Sequence, residues 1–156
     1  MKNGFTILEL LVYIAILAFL IGGGVASAFA VIDFSEKNKV DINVQAEGQF
    51  LTRKIEWALT DATPGAGIIN PLPTLSGDFL ETDKNGVGII RIDVDASGRA
   101  RISVAGDPAL EITNDRVQVQ NLLFEHIPPD GTKPEAIHAT FDINGVSFST
   151  TRYLRK

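Results

Sequence analysis

The 156-residue chain has no cysteine, which excludes disulfides, thiolate metal sites, iron–sulfur clusters, cysteine nucleophiles and a lipoprotein anchor. Basic residues are also scarce, because 14 Lys and Arg stand against 19 Asp and Glu, for a formal net charge of −5. A general nucleic-acid binder clusters Lys and Arg against the phosphate backbone, so we expect no nucleic-acid partner. Proline is absent before Pro64, and the first 63 residues therefore contain no residue that breaks a helix outright.

Charge is absent from the 23 consecutive residues Leu10 to Ile32. A helix of that length reaches about 35 Å at roughly 1.5 Å per residue, which is enough to cross the hydrocarbon core of a bilayer. Three glycines, Gly22 to Gly24, lie in the middle of this run, and each costs a helix about 1 kcal/mol relative to alanine. The triplet is either a surface for close helix packing or a point where the helix can stretch outside lipid.

The pattern becomes amphipathic after Ile32. One apolar stripe recurs at helical spacing and consists of Val40, Val44, Leu51, Ile55, Ala58 and Ala62. A second, narrower apolar line contains Ala46, Phe50 and Trp57, and it either widens the first stripe or faces a partner. Because Pro64 disfavours helical geometry in the residue before it, we predict one helix from Glu9 to about Ala62.

The rest of the sequence is predicted to be a loop followed by a sheet. Residues 63–86 are rich in proline and glycine, and residues 87–155 alternate apolar and polar side chains as strands do. Asn144-Gly145 is the pair that a type I′ hairpin turn prefers. An antiparallel sheet of this kind has to bury one face under a helix. The predicted fold class is therefore α+β, with a long N-terminal helix packed on a C-terminal antiparallel sheet.

The most informative residues are at the N-terminus, where Gly4 precedes Phe5 and Glu9 stands at the edge of the apolar run. A carboxylate in lipid is costly and needs a partner. The stretch Gly4 to Val12 resembles the prepilin motif of type IV pilins and type II secretion pseudopilins. In that family a short basic leader ends in glycine, phenylalanine usually follows, and a glutamate comes four residues later within a hydrophobic helix. The resemblance covers roughly the first 30 residues.

This resemblance implies that a membrane-embedded prepilin peptidase cuts between Gly4 and Phe5 and then methylates the Phe5 amine. It also implies that Glu9 pairs with the Phe5 amine of a neighbouring subunit during assembly. Residues 1–4 would be the leader, residues 5–32 a transmembrane and later filament-core helix, and residues 33–156 an exported pilin-like domain.

The implied partners are the prepilin peptidase, other pilin or pseudopilin subunits and the inner membrane. The N-terminus would be cytoplasmic before assembly, and the protein would then join a cell-surface or periplasmic filament. Such a role is structural, so we expect neither an enzyme nor a cofactor. The helix segment Phe50 to Leu59 and the tail segments Arg116 to Phe124 and Ser149 to Arg155 resemble those of minor pilins and minor pseudopilins. A minor subunit is therefore predicted, and its role in adhesion, motility, DNA uptake or secretion is left open.

Two features depart from the family pattern. Many pilins have a kinking proline about two-thirds along the apolar segment, and none is present here, so the Gly22 to Gly24 triplet is a candidate substitute. The disulfide-bounded loop of many major pilins is impossible without cysteine.

Metal sites are weakly suggested at two places. Residues Asp93 to Gly98 match the first half of an EF-hand loop, but Val104 occupies the twelfth position, where a bidentate glutamate is needed. A plain hairpin turn is expected there. His126 and His138 flank one loop and have no evident third ligand, so we expect two surface histidines and no metal.

No catalytic residue is assigned, because the sequence shows no Ser-His-Asp order, glycine-rich phosphate loop or paired-carboxylate cleft. The basic C-terminus, with Arg152, Arg155 and Lys156, is expected to be a solvated end.

A cleaved secretory signal is the alternative interpretation. Residues 26–28 and 28–30 both have the small-x-small pattern of a signal peptidase site, which would leave a Sec-exported, soluble, β-rich binding protein or enzyme. The acid at Glu9, the length of the apolar run and its continuation into the amphipathic helix all favour the prepilin interpretation. The mature N-terminus separates the two, since it would be Phe5 in one case and near Phe29 to Val31 in the other.

Overall fold

The computed structural model describes residues 6–62 and 67–154. Within these residues the protein forms one 53-residue helix, α1 (Ile7–Leu59), followed by antiparallel strands, which confirms the predicted α+β class. The protein divides into two compact units, of which the first ends at Ile42 and the second begins at Asn43.

In the first unit, every described side chain from Thr6 to Ile42 is exposed. These side chains include large apolar groups such as Phe19, which is 82% exposed, and Phe34, which is 66% exposed. The helix continues through the three glycines, and a Cβ added at any of them would meet nothing within 4 Å. An apolar surface of this extent marks a segment that lipid or other protein covers.

In the described part of the second unit, nine strands form two sheets. The strands are β1 (Ile68–Asn70), β2 (Ser76–Gly77), β3 (Leu80–Lys84), β4 (Gly88–Val94), β5 (Ala100–Val104), β6 (Leu110–Glu111), β7 (Val119–Ile127), β8 (Ala136–Ile143) and β9 (Val146–Tyr153). The five-stranded sheet has the order β1-β3-β4-β5-β6, and the four-stranded sheet has the order β2-β7-β8-β9. All these pairings are antiparallel.

The β8–β9 hairpin is the most regular part of the second unit. Its register runs from Ile143 opposite Val146 to Ala136 opposite Tyr153 without a shift. Asn144 and Gly145 both have positive φ, of 48° and 83°, as a type I′ turn requires, and the turn predicted at this pair is confirmed.

The core of the second unit forms where α1 packs on the sheets. The helix buries a stripe made of Val44, Gly48, Leu51, Ile55, Ala58 and Leu59. Opposite it, the strands contribute a single apolar cluster that includes Ile90, Ile92, Phe124, Ile137 and Phe141. A helical repeat that meets an alternating sheet in this way removes both apolar faces from water.

The amphipathic stripe is confirmed from Val44 onward, whereas Val40 is 55% exposed and lies before the second unit. Phe50 and Trp57 are 37% and 40% exposed, so they do not widen the buried stripe. The ammonium of Lys54 lies 5.4 Å from the Phe50 ring centroid and 5.7 Å from that of Trp57. These three side chains form a separate, partly exposed face of the helix. The interpretation that they widen the buried stripe is therefore wrong, and a partner at this face stays a prediction.

The helix ends at Leu59, three residues before the predicted end at Ala62. Asp61 adopts a left-handed φ of 63°, and Ala62 pairs with Lys84 in an isolated bridge. The last helical turn has no basic residue of its own. Lys84, on β3, places a positive charge at this end of α1.

The ammonium of Lys84 donates to the Trp57 carbonyl at 2.6 Å and to the Thr60 carbonyl at 2.8 Å, and it lies 4.7 Å from the Trp57 ring centroid. The Trp57 carbonyl also accepts from the Thr60 N–H at 3.2 Å, so Lys84 adds a second donor there and supplies a donor to the Thr60 carbonyl. The cation also complements the negative end of the helix dipole.

Two expectations about the sheet region are wrong. The segment 63–86, predicted to be a loop, contains β1, β2 and β3, and the single predicted sheet is two sheets. The inward positions of β3 explain the first error, because Thr82 and Lys84 are buried although they are polar. Thr82 donates its hydroxyl to the Gly67 carbonyl at 2.7 Å, which makes its burial tolerable.

Candidate functional site: the N-terminal signal

The first described residue, Thr6, caps the helix. Its hydroxyl accepts a hydrogen bond from the Glu9 backbone N–H at 3.3 Å, and its carbonyl accepts one from Leu10 at 3.2 Å. Threonine followed three residues later by glutamate is the order of a capping box, in which both residues satisfy free amides of the first turn. Sequence reasoning missed this local role, although the Thr6-x-x-Glu9 spacing is visible in the printed sequence.

Glu9 is exposed in the first turn of α1. A carboxylate there interacts favourably with the positive end of the helix dipole, which lowers the cost of placing an acid beside an apolar run. The next cationic residue in the sequence is Lys37, which is 28 residues later, or about 42 Å at roughly 1.5 Å per residue. The helix itself therefore brings no basic side chain to Glu9.

The helix that follows is long and apolar enough to cross a membrane, with a mean hydropathy of 2.3 over its most apolar 18 residues, none of them buried. Ser27 donates its hydroxyl to the Gly23 carbonyl at 2.9 Å, so its polar group is satisfied within the helix. This pattern is consistent with membrane anchoring near the N-terminus.

Residues 1–25 match the family model of the prokaryotic N-terminal methylation motif. The protein has a prepilin-type signal. This is the signal of type IV pilins and pseudopilins, and the match spans Gly4, Phe5 and Glu9. Gly4 and Phe5 themselves lie outside the residues that the structure describes. No curated protein and no solved structure matches the sequence.

The prepilin-type signal ends long before the sheets, where the other candidate residues lie. The surface position predicted for His126 is wrong, because its side chain is fully buried. Its Nδ1 lies 2.9 Å from the Pro71 carbonyl, and its Nε2 contacts the Glu135 carboxylate. A carbonyl can only accept, so Nδ1 carries a proton, and the imidazole joins two loops across β7.

His138 lies on the other face of the sheet from His126. His126 is opposite Ile137 in the β7–β8 register, and His138, the next residue, is opposite Glu125. The Nδ1 of His138 contacts the Thr151 hydroxyl at 2.8 Å. The two imidazoles that flank one loop in sequence are therefore not brought together.

The segment with the EF-hand resemblance forms the β4–β5 turn. The Asp95 Oδ1 accepts from the backbone N–H of Ser97 at 2.8 Å and of Arg99 at 2.9 Å. The Arg99 backbone N–H, with further help from the Ser97 N–H and the Arg99 guanidinium, lowers the pKa of Asp95 below its ordinary value of 3.8. Asp93 is paired with Arg91 and Arg101. These carboxylates hold a hairpin together.

The structure describes one of the three basic residues predicted to form a solvated C-terminus. Arg152 lies on β9, half-buried, whereas Arg155 and Lys156 lie outside the described residues.

Proposed function

We propose that the protein is a structural subunit of a type IV pilus-like filament or a type II secretion pseudopilus. A prepilin peptidase processes it between Gly4 and Phe5 and methylates the Phe5 amine. The observation that carries this proposal is the match of residues 1–25 to the methylation motif, directly at the head of a helix fit to span a membrane. The proposed role is structural and requires no catalytic residue or cofactor.

Assembly depends, in this proposal, on a pair between Glu9 and the Phe5 amine of an adjacent subunit. A carboxylate and an ammonium are each costly in an apolar filament core, and their pairing favours one axial register. Cleavage is what frees the Phe5 amine, so processing and assembly are linked. The exposed apolar residues of the first unit supply the surface that neighbouring helices would cover.

We further propose that the subunit is a minor one, located in the inner membrane before assembly with its N-terminus in the cytoplasm. The segments Phe50 to Leu59 and Ser149 to Arg155 support this by their resemblance to minor pilins and minor pseudopilins. Deletion should then lower filament number without removing the bulk filament protein. If this protein is the dominant band in sheared filaments, it is the major subunit instead.

Processing is tested by Gly4→Val, because a branched side chain at the scissile bond obstructs the peptidase. The unprocessed protein should accumulate in the membrane. Gly24→Val is the matched control, since it makes the same change in the apolar helix, away from the cleavage site and where the structure has open space.

Mature protein of normal size from Gly4→Val would contradict the proposal. N-terminal sequencing of the wild-type protein gives an independent answer. A start at Phe5 supports the proposal, and a start between Phe29 and Val31 supports a Sec-exported soluble protein instead.

Assembly is tested at Glu9 with two substitutions, which the capping-box sequence Thr6-x-x-Glu9 makes unequal. Glu9→Leu removes the charge and the polar group that a capping box uses at this position, whereas Glu9→Gln removes the charge and keeps a polar group that a capping box accepts there. Both variants should insert into the membrane and be cleaved, and both should be depleted from sheared filaments relative to membranes. Glu36→Gln, also in an exposed part of α1, is the control for loss of a negative charge.

An unchanged filament-to-membrane ratio for both Glu9 variants would remove the ion pair from the proposal. Depletion of Glu9→Leu alone would assign the effect to helix capping.

A further inference from the structure

The described part of the second unit contains the same tripeptide twice, as Asn85-Gly86-Val87 and as Asn144-Gly145-Val146. Asparagine followed by glycine is the pair most open to attack of a backbone nitrogen on the side-chain amide, because glycine has no Cβ to obstruct the approach. Because the three residues are identical, any difference in reactivity between the two copies arises from the fold and from the residues that flank them.

The side chain of Asn85 has no hydrogen-bond partner among residues 6–62 and 67–154. It is exposed in the β3–β4 turn. The turn is closed by the Val87 N–H, which donates to the Lys84 carbonyl at 3.0 Å. Gly86 has φ of 78°, and a Cβ added there would meet nothing within 4 Å. The side chain of Asn85 can therefore rotate toward the Gly86 nitrogen without breaking a hydrogen bond to any described residue.

Asn144 is held in place. Its Oδ1 accepts from the Gln118 backbone N–H at 2.9 Å, and its Nδ2 donates to the Arg116 carbonyl at 3.4 Å. Its backbone N–H also donates to the Gln118 carbonyl at 3.2 Å. Rotation of the Asn144 side chain toward Gly145 would break the two side-chain bonds.

We propose that Asn85 is a site of spontaneous deamidation in the folded protein, and that Asn144 is protected by its hydrogen bonds. The Gly86 nitrogen loses its proton and attacks the Asn85 Cγ, so that a new C–N bond forms. The bond from Cγ to the amide nitrogen Nδ2 breaks, and Nδ2 takes up the proton and leaves as ammonia. Water then opens the resulting succinimide at either carbonyl, giving aspartate or isoaspartate. The reaction needs no other reactant.

Deamidation of Asn85 changes the charge beside Lys84, the residue that binds the end of α1. Each event adds a carboxylate next to Lys84, whose ammonium holds the end of α1, and two residues from the exposed Asp83. The isoaspartate product also lengthens the backbone by one methylene inside the turn that Val87 closes. The fraction of molecules with an altered β3–β4 turn therefore increases with time after synthesis.

The experiment incubates the full-length protein, purified in detergent, in a mildly alkaline buffer made with isotopically labelled water. Peptide mass spectrometry then follows the replacement of the amide by a labelled carboxyl group at each asparagine. In the folded protein Asn85 should convert about fivefold to thirtyfold faster than Asn144, as expected for a restraint of one to two ordinary hydrogen bonds. Asn85→Gln is the matched variant, because it keeps an amide but disfavours ring closure.

The same incubation in denaturant distinguishes the fold from the flanking residues. The two rates should converge there, because the tripeptides are identical. Equal rates in the folded protein would overturn the proposal. So would a difference that persists in denaturant, which would assign the effect to Lys84 and Ile143, the residues that precede each pair.

Discussion

The two parts of α1 share one backbone conformation and differ in everything that surrounds it. From Ile7 to Ile42 no described residue is buried, whereas from Asn43 to Leu59 a buried residue recurs every three or four positions. Helical hydrogen bonds alone therefore do not explain the first part, whose exposed apolar surface needs lipid or neighbouring subunits. The second part is stabilised by its own sheets, as most helices in globular proteins are.

The largest expected difference between the two parts comes from deleting a leucine. Leu51→Ala removes a fully buried side chain and should lower the free energy of unfolding by about 2–5 kcal/mol. Leu17→Ala makes the same change where the side chain is 57% exposed and should leave unfolding of the second unit unchanged. Trp57, the sole tryptophan, reports on the second unit by its fluorescence during chemical unfolding.

A loss of stability in Leu17→Ala equal to that in Leu51→Ala would contradict the comparison, since it would mean that the first part of α1 contributes to the fold of the second unit. A melt of a truncated protein that starts at Asp33 gives the complementary test. It should fold alone, because the buried stripe lies wholly after that residue.

Replacing a glycine in each part of α1 tests the same comparison, with a smaller expected change in stability. A Cβ on Gly48 would overlap the Phe148 ring, which itself stacks on Phe141 at a centroid distance of 5.4 Å. Gly48→Ala should therefore destabilise the second unit by about 1–3 kcal/mol, as overpacking does. Gly23→Ala meets nothing within 4 Å and should favour the helix by up to about 1 kcal/mol.

Thermal melting of both variants, followed by circular dichroism, measures these opposite signs. Destabilisation by Gly23→Ala would show that the glycine triplet is already packed against another protein or departs from the helix.

Much of the contrast between the two parts of α1 could be predicted from the sequence. Leu51, Ile55 and Ala58 recur at helical spacing, and the run from Leu10 to Ile32 before them has no charge. What sequence reasoning missed depends on contacts between distant residues. The burial of His126 follows from Glu135 and the Pro71 carbonyl, neither of which is a sequence neighbour. The N-terminal signal could be identified from the sequence because its residues are contiguous.

The strands between residues 68 and 84 were missed for a related reason. Lys84 points inward and is buried, so β3 lacks the apolar alternation by which strands are recognised. What makes its burial acceptable is the end of α1, more than twenty residues earlier in the sequence. A residue whose role is set by a distant carbonyl leaves no local pattern.

Lys84→Met tests how the second part of α1 ends. The variant keeps an unbranched side chain and removes the ammonium that donates to the Trp57 and Thr60 carbonyls, which should cost about 1–3 kcal/mol. Lys133→Met, at an exposed lysine, is the control. Chemical unfolding followed by Trp57 fluorescence measures both, and equal stabilities would show that water replaces the ammonium at no cost.

Thr6→Ala tests how the first part begins, and the expected loss is smaller. The hydroxyl of Thr6 satisfies one amide of the first turn, so its removal should cost the helix terminus about 1 kcal/mol. Thr6→Ser keeps the capping oxygen and is the control. Amide hydrogen exchange of Glu9 in detergent micelles measures the effect, and equal protection in Thr6→Ala and Thr6→Ser would show that the first turn does not depend on the cap.

The smallest expected effect is the loss of stability at acid pH that Asp95 causes in the β4–β5 turn of the second unit. Hydrogen bonds from the Arg99 and Ser97 amides lower the pKa of Asp95 below 3.8, so its stabilisation is complete above that value and is lost as pH falls through the folded pKa. Asp95→Asn should be less stable than wild type at neutral pH, and the difference should shrink as the medium is acidified. Trp57 fluorescence during chemical unfolding at several pH values follows this change.

The control for that titration is Asp107→Asn, an exposed aspartate whose carboxylate accepts no hydrogen bond from the described residues. Its stability should stay close to that of wild type at every pH, because the substitution removes no bonded carboxylate. A constant gap between Asp95→Asn and wild type over the acid range would show that the asparagine disturbs the turn by its shape. The charge of Asp95 would then contribute nothing to the hairpin. The backbone bonds from the Asp95 N–H to the Arg99 carbonyl and from the Gly98 N–H to the Asp95 carbonyl would hold the turn by themselves.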